Sequence, residues 1–265
     1  MYLSEIWIYP VKSLGGIRLS EAQTEERGLQ YDRRWMIIDE NDKFITQRIY
    51  SKMALIDVAL EESHLKISNR LEPGNDVLVP FEPVTRNPVT VTIWDDLVEA
   101  VTVCDEADAW LSKELGQNLR LVVMPKSTRR QVDTKYAKND EYVSFADGYP
   151  YLVISQASLD DLNAKLPEPI TMTRFRPNFV ITGTEPFEED QWKKISIGNL
   201  DFEILKPCAR CILTTVNPQT AEKSPEPLKT LATYRKVNNK ILFGQNVVAK
   251  GFGVVKVGDV VEVKE

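Results

Sequence analysis

The sequence predicts a mainly β protein with a few helices. Short segments rich in β-branched residues, separated by turn residues, recur along most of the chain. Only three segments have helical periodicity. Strands and helices do not alternate regularly, so a β-barrel with covering helices is favoured over a doubly wound parallel sheet.

The predicted strands begin at the amino terminus, where residues 1–10 alternate like a strand. The others are predicted over residues 34–40, 54–61, 89–94, 97–103, 119–123, 151–155, 178–182, 194–205, 212–217 and 253–263. Two of these ranges contain a predicted hairpin turn, at Gly198-Asn199 and at Gly258-Asp259.

Helices are predicted over residues 105–116, 158–169 and 226–236. Asp105 and Ser158 are the predicted N-caps of the first two. Gly116 and Pro167 end these helices, and Pro227 opens the third. Their predicted apolar faces consist of Trp110, Leu111 and Leu115, of Leu159, Leu162 and Leu166, and of Leu228, Leu231 and Ala232.

The chain of 265 residues is long enough for one large domain or two modest ones. Residues 125–142 are polar and lack periodicity, so they are the predicted boundary or a long surface loop. We therefore expect two domains, at residues 1–124 and 125–265, packed as two lobes.

Composition excludes several classes of function. The net charge of −6 argues against general nucleic-acid binding, although it leaves room for a local anion site. No apolar run approaches the roughly 18 residues of a membrane span. The first residues do not form a signal peptide, so we expect a cytoplasmic protein with no membrane partner.

The chain has three cysteines and one histidine. Cys104, Cys208 and Cys211 are too few for a disulfide framework or for a four-cysteine iron–sulfur site. His64 lies at a predicted strand edge or turn and has no evident catalytic partner. Hydrolases that use a histidine base are therefore disfavoured.

A lysine and a hydroxyl follow the first strand. Lys12 and Ser13 lie in a predicted turn that Gly15 and Gly16 make flexible. Such a turn can hold a phosphate through side chains and backbone N–H groups. The glycine spacing is not that of a Walker loop, and an ordinary polar turn is the alternative.

Arginines recur in two further segments. Arg33 and Arg34 alternate faces as they enter a strand, so one of them should point inward towards an anion or a carboxylate. The alternative is a salt bridge to Asp32 or Glu40. In the second segment, residues 174–179, the proline after Arg176 predicts an extended conformation there. The following asparagine, Asn178, could bind the edge of a heterocycle.

Cys208 and Cys211 form a C-x-x-C pair, which is only half of a zinc site. The predicted strand over 212–217 disfavours a thioredoxin-like pair, which precedes a helix. A thiolate beside Arg210, which would favour the ionised sulfur, remains, and thiolates suit thiophilic metals. Two buried, inert thiols are the alternative.

Six segments resemble, in order and spacing, the MOSC (molybdenum cofactor sulfurase C-terminal) domain family. They are residues 9–16, 28–39, 145–163, 174–183, 208–220 and 242–246. The first two are similar to the family's N-terminal β-barrel domain, which implies that domain at 1–124 and the MOSC domain at 125–265. The resemblance spans residues 2 to about 263 and is strongest to the amidoxime-reducing branch and its bacterial relatives.

The resemblance implies an enzyme with a molybdenum–molybdopterin cofactor that reduces amidoximes, hydroxylamines or N-hydroxylated bases. Pyridoxal phosphate is not expected. The chain lacks the cysteines of the ferredoxin domain found in some relatives. Electrons would therefore come from a separate ferredoxin-, flavoprotein- or cytochrome-type protein.

The resemblance also implies residue roles. Cys211 matches the molybdenum ligand, whereas Cys208 matches a variable position. Asn178 could orient the substrate and Asp147 could relay a proton. The residues implied to bind the cofactor are Lys12, Ser13, Arg33, Asp147, Gly148, Tyr149, Arg176, Asn178, Ala209, Arg210 and Cys211.

Three other functions stay open. A sulfurase-type sulfur carrier would use a persulfide on Cys211. A non-catalytic carrier would bind the molybdenum cofactor without turnover. A β-barrel without any metal would do neither.

Overall fold

The computed structural model describes residues 1–264. Within them lie nineteen β-strands, three α-helices and four 3₁₀-helices, and the predicted mainly β class is confirmed. The strands are β1 (Tyr2–Ile8), β2 (Ile17–Leu19), β3 (Glu21–Glu25), β4 (Gly28–Leu29), β5 (Trp35–Ile38), β6 (Ile56–Leu60), β7 (His64–Asn69), β8 (Asp76–Pro80), β9 (Pro88–Ile93), β10 (Asp96–Thr102), β11 (Arg120–Val123), β12 (Tyr151–Ser155), β13 (Phe179–Thr182), β14 (Lys194–Ile197), β15 (Leu200–Arg210), β16 (Lys236–Val237), β17 (Lys240–Ala249), β18 (Val254–Lys256) and β19 (Val261–Lys264).

The α-helices are α1 (Asp105–Leu115), α2 (Gln156–Asn163) and α3 (Leu228–Leu231). The 3₁₀-helices are Ser51–Leu55, Met172–Arg174, Glu188–Asp190 and Ile212–Thr215.

The largest sheet contains nine strands and closes on itself. Its order is β19-β14-β15-β17-β12-β13-β1-β2, and β16 pairs with β17. Residues 1–3 then hydrogen-bond residues 258–261: Leu3 N donates to Asp259 O at 2.9 Å and Val261 N donates to Met1 O at 3.0 Å. Inside lies a buried core that includes Leu3, Tyr151, Phe179 and Phe202, so this part of the chain is a barrel.

The remaining strands form smaller sheets. One has the order β5-β11-β10-β9, another β6-β7-β8, and a third β18-β3-β4. Helix α1 packs on the first two of these sheets through Ala107 and Leu111, which share a core with Leu121 of β11 and Leu65 of β7. Strands β1 and β3 therefore pair with strands of the carboxyl-terminal half, and β2 and β4 extend these pairings. Strands β5–β11 form a body of their own. The domain boundary after residue 124 stays a prediction.

Two helix caps differ from those predicted. The N-cap of α1 is Cys104, without a side-chain hydrogen bond, because Asp105 is already helical. The N-cap of α2 is Ser155, whose Oγ accepts a hydrogen bond from Ser158 N at 3.1 Å. Ser158 had matched a cap because it precedes the apolar positions, but its hydroxyl donates to the buried Glu189. Gly116 ends α1 in the predicted left-handed conformation.

Two predictions for the carboxyl-terminal part were wrong. The helix predicted over 226–236 is a single turn, since the chain turns into β16 at Lys236. The strands on either side of Gly258 do not pair with each other. Instead, β18 pairs with β3 and β19 with β14, because each completes a different sheet.

Candidate functional site

A cavity lies where the barrel meets the amino-terminal body. Its volume is about 140 Å³, and it is open to solvent on one side. Its walls include every residue that the sequence predicted for the site. They are Lys12, Ser13, Arg33, Asp147, Gly148, Tyr149, Arg176, Asn178, Ala209, Arg210 and Cys211.

Lys12 forms one wall of the cavity. It is buried, and its Nζ donates to Phe145 O at 2.8 Å and to Asp147 Oδ1 at 2.5 Å. Burial lowers the pKa of Lys12, and the carboxylate of Asp147 opposes that shift. The ion pair and hydrogen bond with Lys12, together with the charges of Arg48 and Arg33, lower the pKa of Asp147. The ion pair therefore keeps Asp147 ionised.

Two arginines face one buried tyrosine ring. The guanidinium carbon of Arg33 lies 4.2 Å from the ring centroid of Tyr9, and that of Arg176 lies 4.1 Å from it. Both distances suit cation–π attraction. Burial raises the pKa of Tyr9 to about 12. Burial and repulsion by Arg33 lower the pKa of Arg176 to about 10, so at neutral pH the arginine is charged and the phenol neutral.

The two neighbouring arginines of the sequence are both largely buried, each with its own carboxylate. Arg33 Nη1 donates to Asp32 Oδ2 at 2.7 Å, and Arg34 Nη2 donates to Glu25 Oε2 at 2.8 Å. Only Arg33 lines the cavity. Arg33 therefore both forms the predicted salt bridge with Asp32 and lines the cavity.

The backbone of Arg176 is not extended, as its proline neighbour predicted. Its φ is 55°, in the left-handed region, and its Nη1 donates to Leu14 O at 2.8 Å. The preference imposed by proline is overridden by this contact between the two halves of the chain. Ser13 and Arg33 on the same cavity also have positive φ, at 69° and 49°. Such strained residues concentrate at functional sites.

Asn178 connects three elements behind the cavity. Its Oδ1 accepts from Leu152 N at 3.2 Å and from Arg33 Nη1 at 3.4 Å, while its Nδ2 donates to Trp7 O at 3.2 Å. The side chain is buried. These contacts use its amide to position Arg33 and the ends of β1 and β12.

The turn at Asp147–Tyr149 offers backbone donors. Among residues 1–264, the N–H groups of Asp147, Gly148 and Tyr149 donate to no protein acceptor. The turn is held from outside by Arg130, whose Nη1 donates to Ser144 O at 3.0 Å and whose Nη2 donates to Asp147 O at 3.2 Å. Consecutive free N–H groups form anion-binding concavities.

Arg130 was not predicted as a site residue. It lies in the aperiodic segment 125–142, and its contacts are to backbone oxygens far along the chain. A buried arginine that holds a loop has no local sequence signal. Its Nε donates to Asp96 Oδ2 at 2.8 Å, which ties the loop to β10.

The two cysteines differ in their surroundings. Cys211 is exposed and precedes the 3₁₀-helix Ile212–Thr215, so the strand predicted over 212–217 was wrong. Cys208 is half-buried and accepts a hydrogen bond from Arg210 Nη1 at 3.0 Å. Arg210 thus contacts Cys208, whereas the sequence had placed it beside the sulfur of Cys211. In a strand, side chains two residues apart share a face, which accounts for this contact.

The cavity has a surplus of positive charge. Lys12, Arg33, Arg176 and Arg210 line it, whereas the nearby carboxylates are Asp32 and Asp147. Four cations against two carboxylates leave two formal positive charges. Arg176 Nη2 and Arg210 Nε are buried without a protein partner among residues 1–264. This arrangement suits a doubly charged phosphate group.

Within the described part of the chain, no group of three or more His, Cys, Asp or Glu side chains could hold a metal ion. None of its helices is both long and apolar enough to cross a membrane.

Comparison with known proteins gives relatives that match nearly the whole of this chain. Mitochondrial amidoxime-reducing component 1 of Mus musculus is 34% identical over 277 residues, which cover 97% of this chain and 80% of that protein. The human protein of the same name is 34% identical, with 97% and 81% covered. Mitochondrial amidoxime reducing component 2 of Rattus norvegicus is 31% identical, with 97% and 81% covered.

Family models match both halves of the chain. Residues 1–118 match the MOSC N-terminal beta barrel domain, and residues 140–262 match the MOSC domain. With relatives alike over nearly the whole chain, these matches confirm the resemblance found in the sequence motifs, and the chain belongs to the MOSC domain family, alongside the amidoxime-reducing components.

Proposed function

We propose that the chain binds a molybdenum cofactor in the cavity and reduces N-hydroxylated substrates, such as amidoximes, with electrons from a separate protein. The observation that carries the proposal is the composition of one cavity. Lys12, Arg33, Arg176 and Cys211 are far apart in sequence, yet all four line it. The relatives named amidoxime-reducing components support the reaction class.

The donor set fits the pterin cofactor. Its phosphate would meet Lys12, Ser13 and the free N–H groups of residues 147–149, where the positive charge is in surplus. The unpartnered nitrogens of Arg176 and Arg210 provide further donors for its phosphate and pterin. Cys211 offers an exposed sulfur for the metal.

The chain's own residues would position the cofactor and neutralise the charge of its phosphate. Arg33 and Arg176 are held by Tyr9 and by backbone oxygens, so they need little reorganisation when an anion binds. Ala209 and Arg210 would contribute backbone contacts from β15. When bound, the cofactor supplies two-electron removal of oxygen from the N–O group.

The contacts of Asp147 and Asn178 do not favour the proton relay and the substrate orientation that the resemblance implied for them. The ion pair with Lys12 lowers the pKa of Asp147, which makes its carboxylate a poor proton donor at neutral pH. The amide of Asn178 is occupied by protein groups. We therefore propose that Asp147 orients Lys12 and that Asn178 orients Arg33.

The test uses protein made in a host that synthesises the cofactor. We expect bound molybdenum by elemental analysis and benzamidoxime reduction with an artificial electron donor. Cys211→Ala should abolish both, because it removes the metal's protein ligand. Cys208→Ala is the matched control and should retain both, since Arg210 keeps its bond to Phe175 O.

Equal behaviour of the two variants would contradict the assignment of Cys211. The exposure of this thiol also suits a persulfide carrier. A sulfane sulfur on Cys211 in mass spectra, without molybdenum, would favour that function. Bound molybdenum without turnover by any donor would indicate a cofactor carrier.

A further inference from the structure

A segment that the sequence analysis did not single out lies behind the Lys12–Ser13 turn. The ring centroid of Phe44 is 5.3 Å from Lys12 Nζ, and Gln47 Nε2 donates to Ser13 O at 2.7 Å. The chain from residue 44 to residue 47 therefore follows the phosphate side of the cavity. Arg48 comes next and is partly exposed.

The guanidinium of Arg48 is held by aromatic rings. Its central carbon lies 4.2 Å from the ring centroid of Trp94 and 6.0 Å from that of Phe44. Its Nε donates to Thr46 Oγ1 at 3.2 Å. Within residues 1–264, its two terminal nitrogens make no hydrogen bond and no ion pair. The two rings and Thr46 therefore hold the guanidinium group in place, and its two terminal nitrogens are available to a ligand.

Trp94 has a backbone conformation that disfavours a bulky residue. It lies in the two-residue turn between β9 and β10, with φ of 56°. That conformation is unfavourable for an L-residue, whereas glycine adopts it readily. Its ring is 42% exposed and meets the edge of Phe44 at a centroid distance of 5.2 Å. Because strained backbone is kept mainly at functional sites, this conformation indicates that the ring of Trp94 has a function.

Arg48 lies near the Lys12 side of the cavity, because the Phe44 ring centroid is 5.3 Å from Lys12 Nζ and 6.0 Å from the guanidinium carbon of Arg48. Asp147 lines the cavity, and its side chain is 65% exposed. The charge of Arg48 contributes, after that of Lys12, to lowering the pKa of Asp147. The two charges attract each other, but among residues 1–264 they form no ion pair within 4 Å.

We propose that Arg48, held by Trp94 and Phe44, binds an oxyanion of the substrate, specifically a carboxylate, beside the Lys12 side of the cavity. The inference rests on the proposed reductase function and adds a preference for anionic N-hydroxylated substrates. A free, planar guanidinium fork matches a carboxylate in two parallel hydrogen bonds. The cofactor's phosphate has its own donors deeper in the cavity, at Lys12 and Arg176.

The test compares a matched pair of substrates, neutral benzamidoxime and anionic 4-carboxybenzamidoxime, on molybdenum-loaded protein. Arg48→Met should raise KM for the anionic substrate by about fivefold, the upper end for a partly exposed ion pair. Its kcat, and both constants for benzamidoxime, should stay at wild-type values. Arg86→Met, at an exposed arginine paired with Glu82, is the control and should change neither substrate.

A second variant, Trp94→Gly, distinguishes a role of Trp94 in positioning Arg48 from a role in stabilising the fold. Trp94→Gly relieves the strained backbone, so its melting temperature should not fall. It removes the ring behind Arg48, so the same rise in KM for the anionic substrate should appear. A loss of selectivity with undiminished stability is a result that a purely structural role for Trp94 would not produce.

Calorimetry tests the site without turnover. The loaded protein should bind 4-carboxybenzamidine more tightly than benzamidine, and Arg48→Met should remove the difference. An equal effect on both ligands, or none, would overturn the proposal. Loss of molybdenum from Arg48→Met would also overturn it, since Arg48 would then serve the cofactor's phosphate. Failure of the wild type to reduce either substrate would reject the reductase function and leave the binding result to decide on Arg48.

Discussion

Tyr9 orders two of the guanidiniums that line the cavity, those of Arg33 and Arg176. Its ring is buried and lies within 4.2 Å of both guanidinium carbons. The ring has room only because residue 16 is glycine: a Cβ there would lie 2.5 Å from Tyr9 Cε1 and 2.8 Å from Cδ1. Gly16 therefore positions Arg33 and Arg176 without contacting either.

We expect Gly16→Ala to destabilise the fold by about 1–3 kcal/mol, the usual cost of overpacking a filled core. It should also lower molybdenum content in protein from a cofactor-producing host, because the displaced ring moves both arginines. Urea denaturation and elemental analysis measure the two effects. Gly251→Ala is the control, since a Cβ there meets nothing within 4 Å. Wild-type molybdenum in Gly16→Ala would refute the positioning role.

At the residue scale, the sequence was informative where a residue belongs to a motif. Lys12, Arg33, Arg176 and Cys211 were found through the order and spacing of family segments, and one cavity contains them all. Arg130 and Arg48 were not found. Their roles arise from contacts with backbone or rings distant in the chain, and no local pattern encodes such contacts.

At the element scale, the segment after Cys211 shows how composition misled. The β-branched run at 212–216 predicts a strand, yet it forms a 3₁₀-turn. Thr214 Oγ1 donates to Cys211 O at 3.0 Å, and Thr215 Oγ1 donates to Ile212 O at 2.7 Å. Hydroxyls that bond to the preceding backbone stabilise a turn over a strand. The turn leaves Cys211 exposed at the cavity.

Helix α1 is attached to β11 by a partly buried carboxyl group. Asp108 Oδ1 accepts a hydrogen bond from Leu121 N at 2.7 Å. Burial raises the pKa of Asp108 to about 6, above the value of about 3.9 for an unfolded chain. The folded state therefore binds the proton more tightly. Its contribution to stability is full below about pH 4 and is lost as the pH rises through about 6.

Asp108→Asn should remove this pH dependence, because asparagine can accept the same hydrogen bond without ionising. We expect its melting temperature to exceed that of the wild type at pH 7.5 and the difference to shrink towards pH 4. Thermal denaturation across that range measures it. Asp108→Ala loses the acceptor as well and should be less stable than Asp108→Asn at every pH. Parallel curves for wild type and Asp108→Asn would contradict the assignment.

At the scale of the whole molecule, the cavity joins the two halves of the chain. Arg176 Nη1 donates to Leu14 O at 2.8 Å, and Arg33 Nη2 donates to Arg176 O at 3.1 Å. Farther out, Arg70 Nη1 donates to Pro218 O at 2.7 Å. An anion bound among these groups would therefore stabilise both halves together.

We expect inorganic phosphate to raise the melting temperature of cofactor-free protein above that in chloride of equal ionic strength. A ligand at a hundred times its Kd adds about 2.7 kcal/mol, and each kcal/mol shifts the midpoint of a chain this long by about 2–4 °C. Differential scanning fluorimetry measures the shift. Arg176→Met should abolish it, whereas Arg86→Met should retain it. A rise of equal size in both variants would mean that phosphate acts elsewhere.

The pairing of residues 1–3 with residues 258–261, which closes the barrel, determines when folding can be completed. Strand β1 pairs with β2 at once, but its other neighbours are β13 and the turn at residues 258–260. A ribosome delivers β13 long after β1 and residues 258–260 almost last, and pairing between distant segments is slow to nucleate. The barrel therefore cannot close until nearly the whole chain has been synthesised. The Lys12 turn, which directly follows β1, reaches its final place only then, so the cavity that it lines is completed only after synthesis.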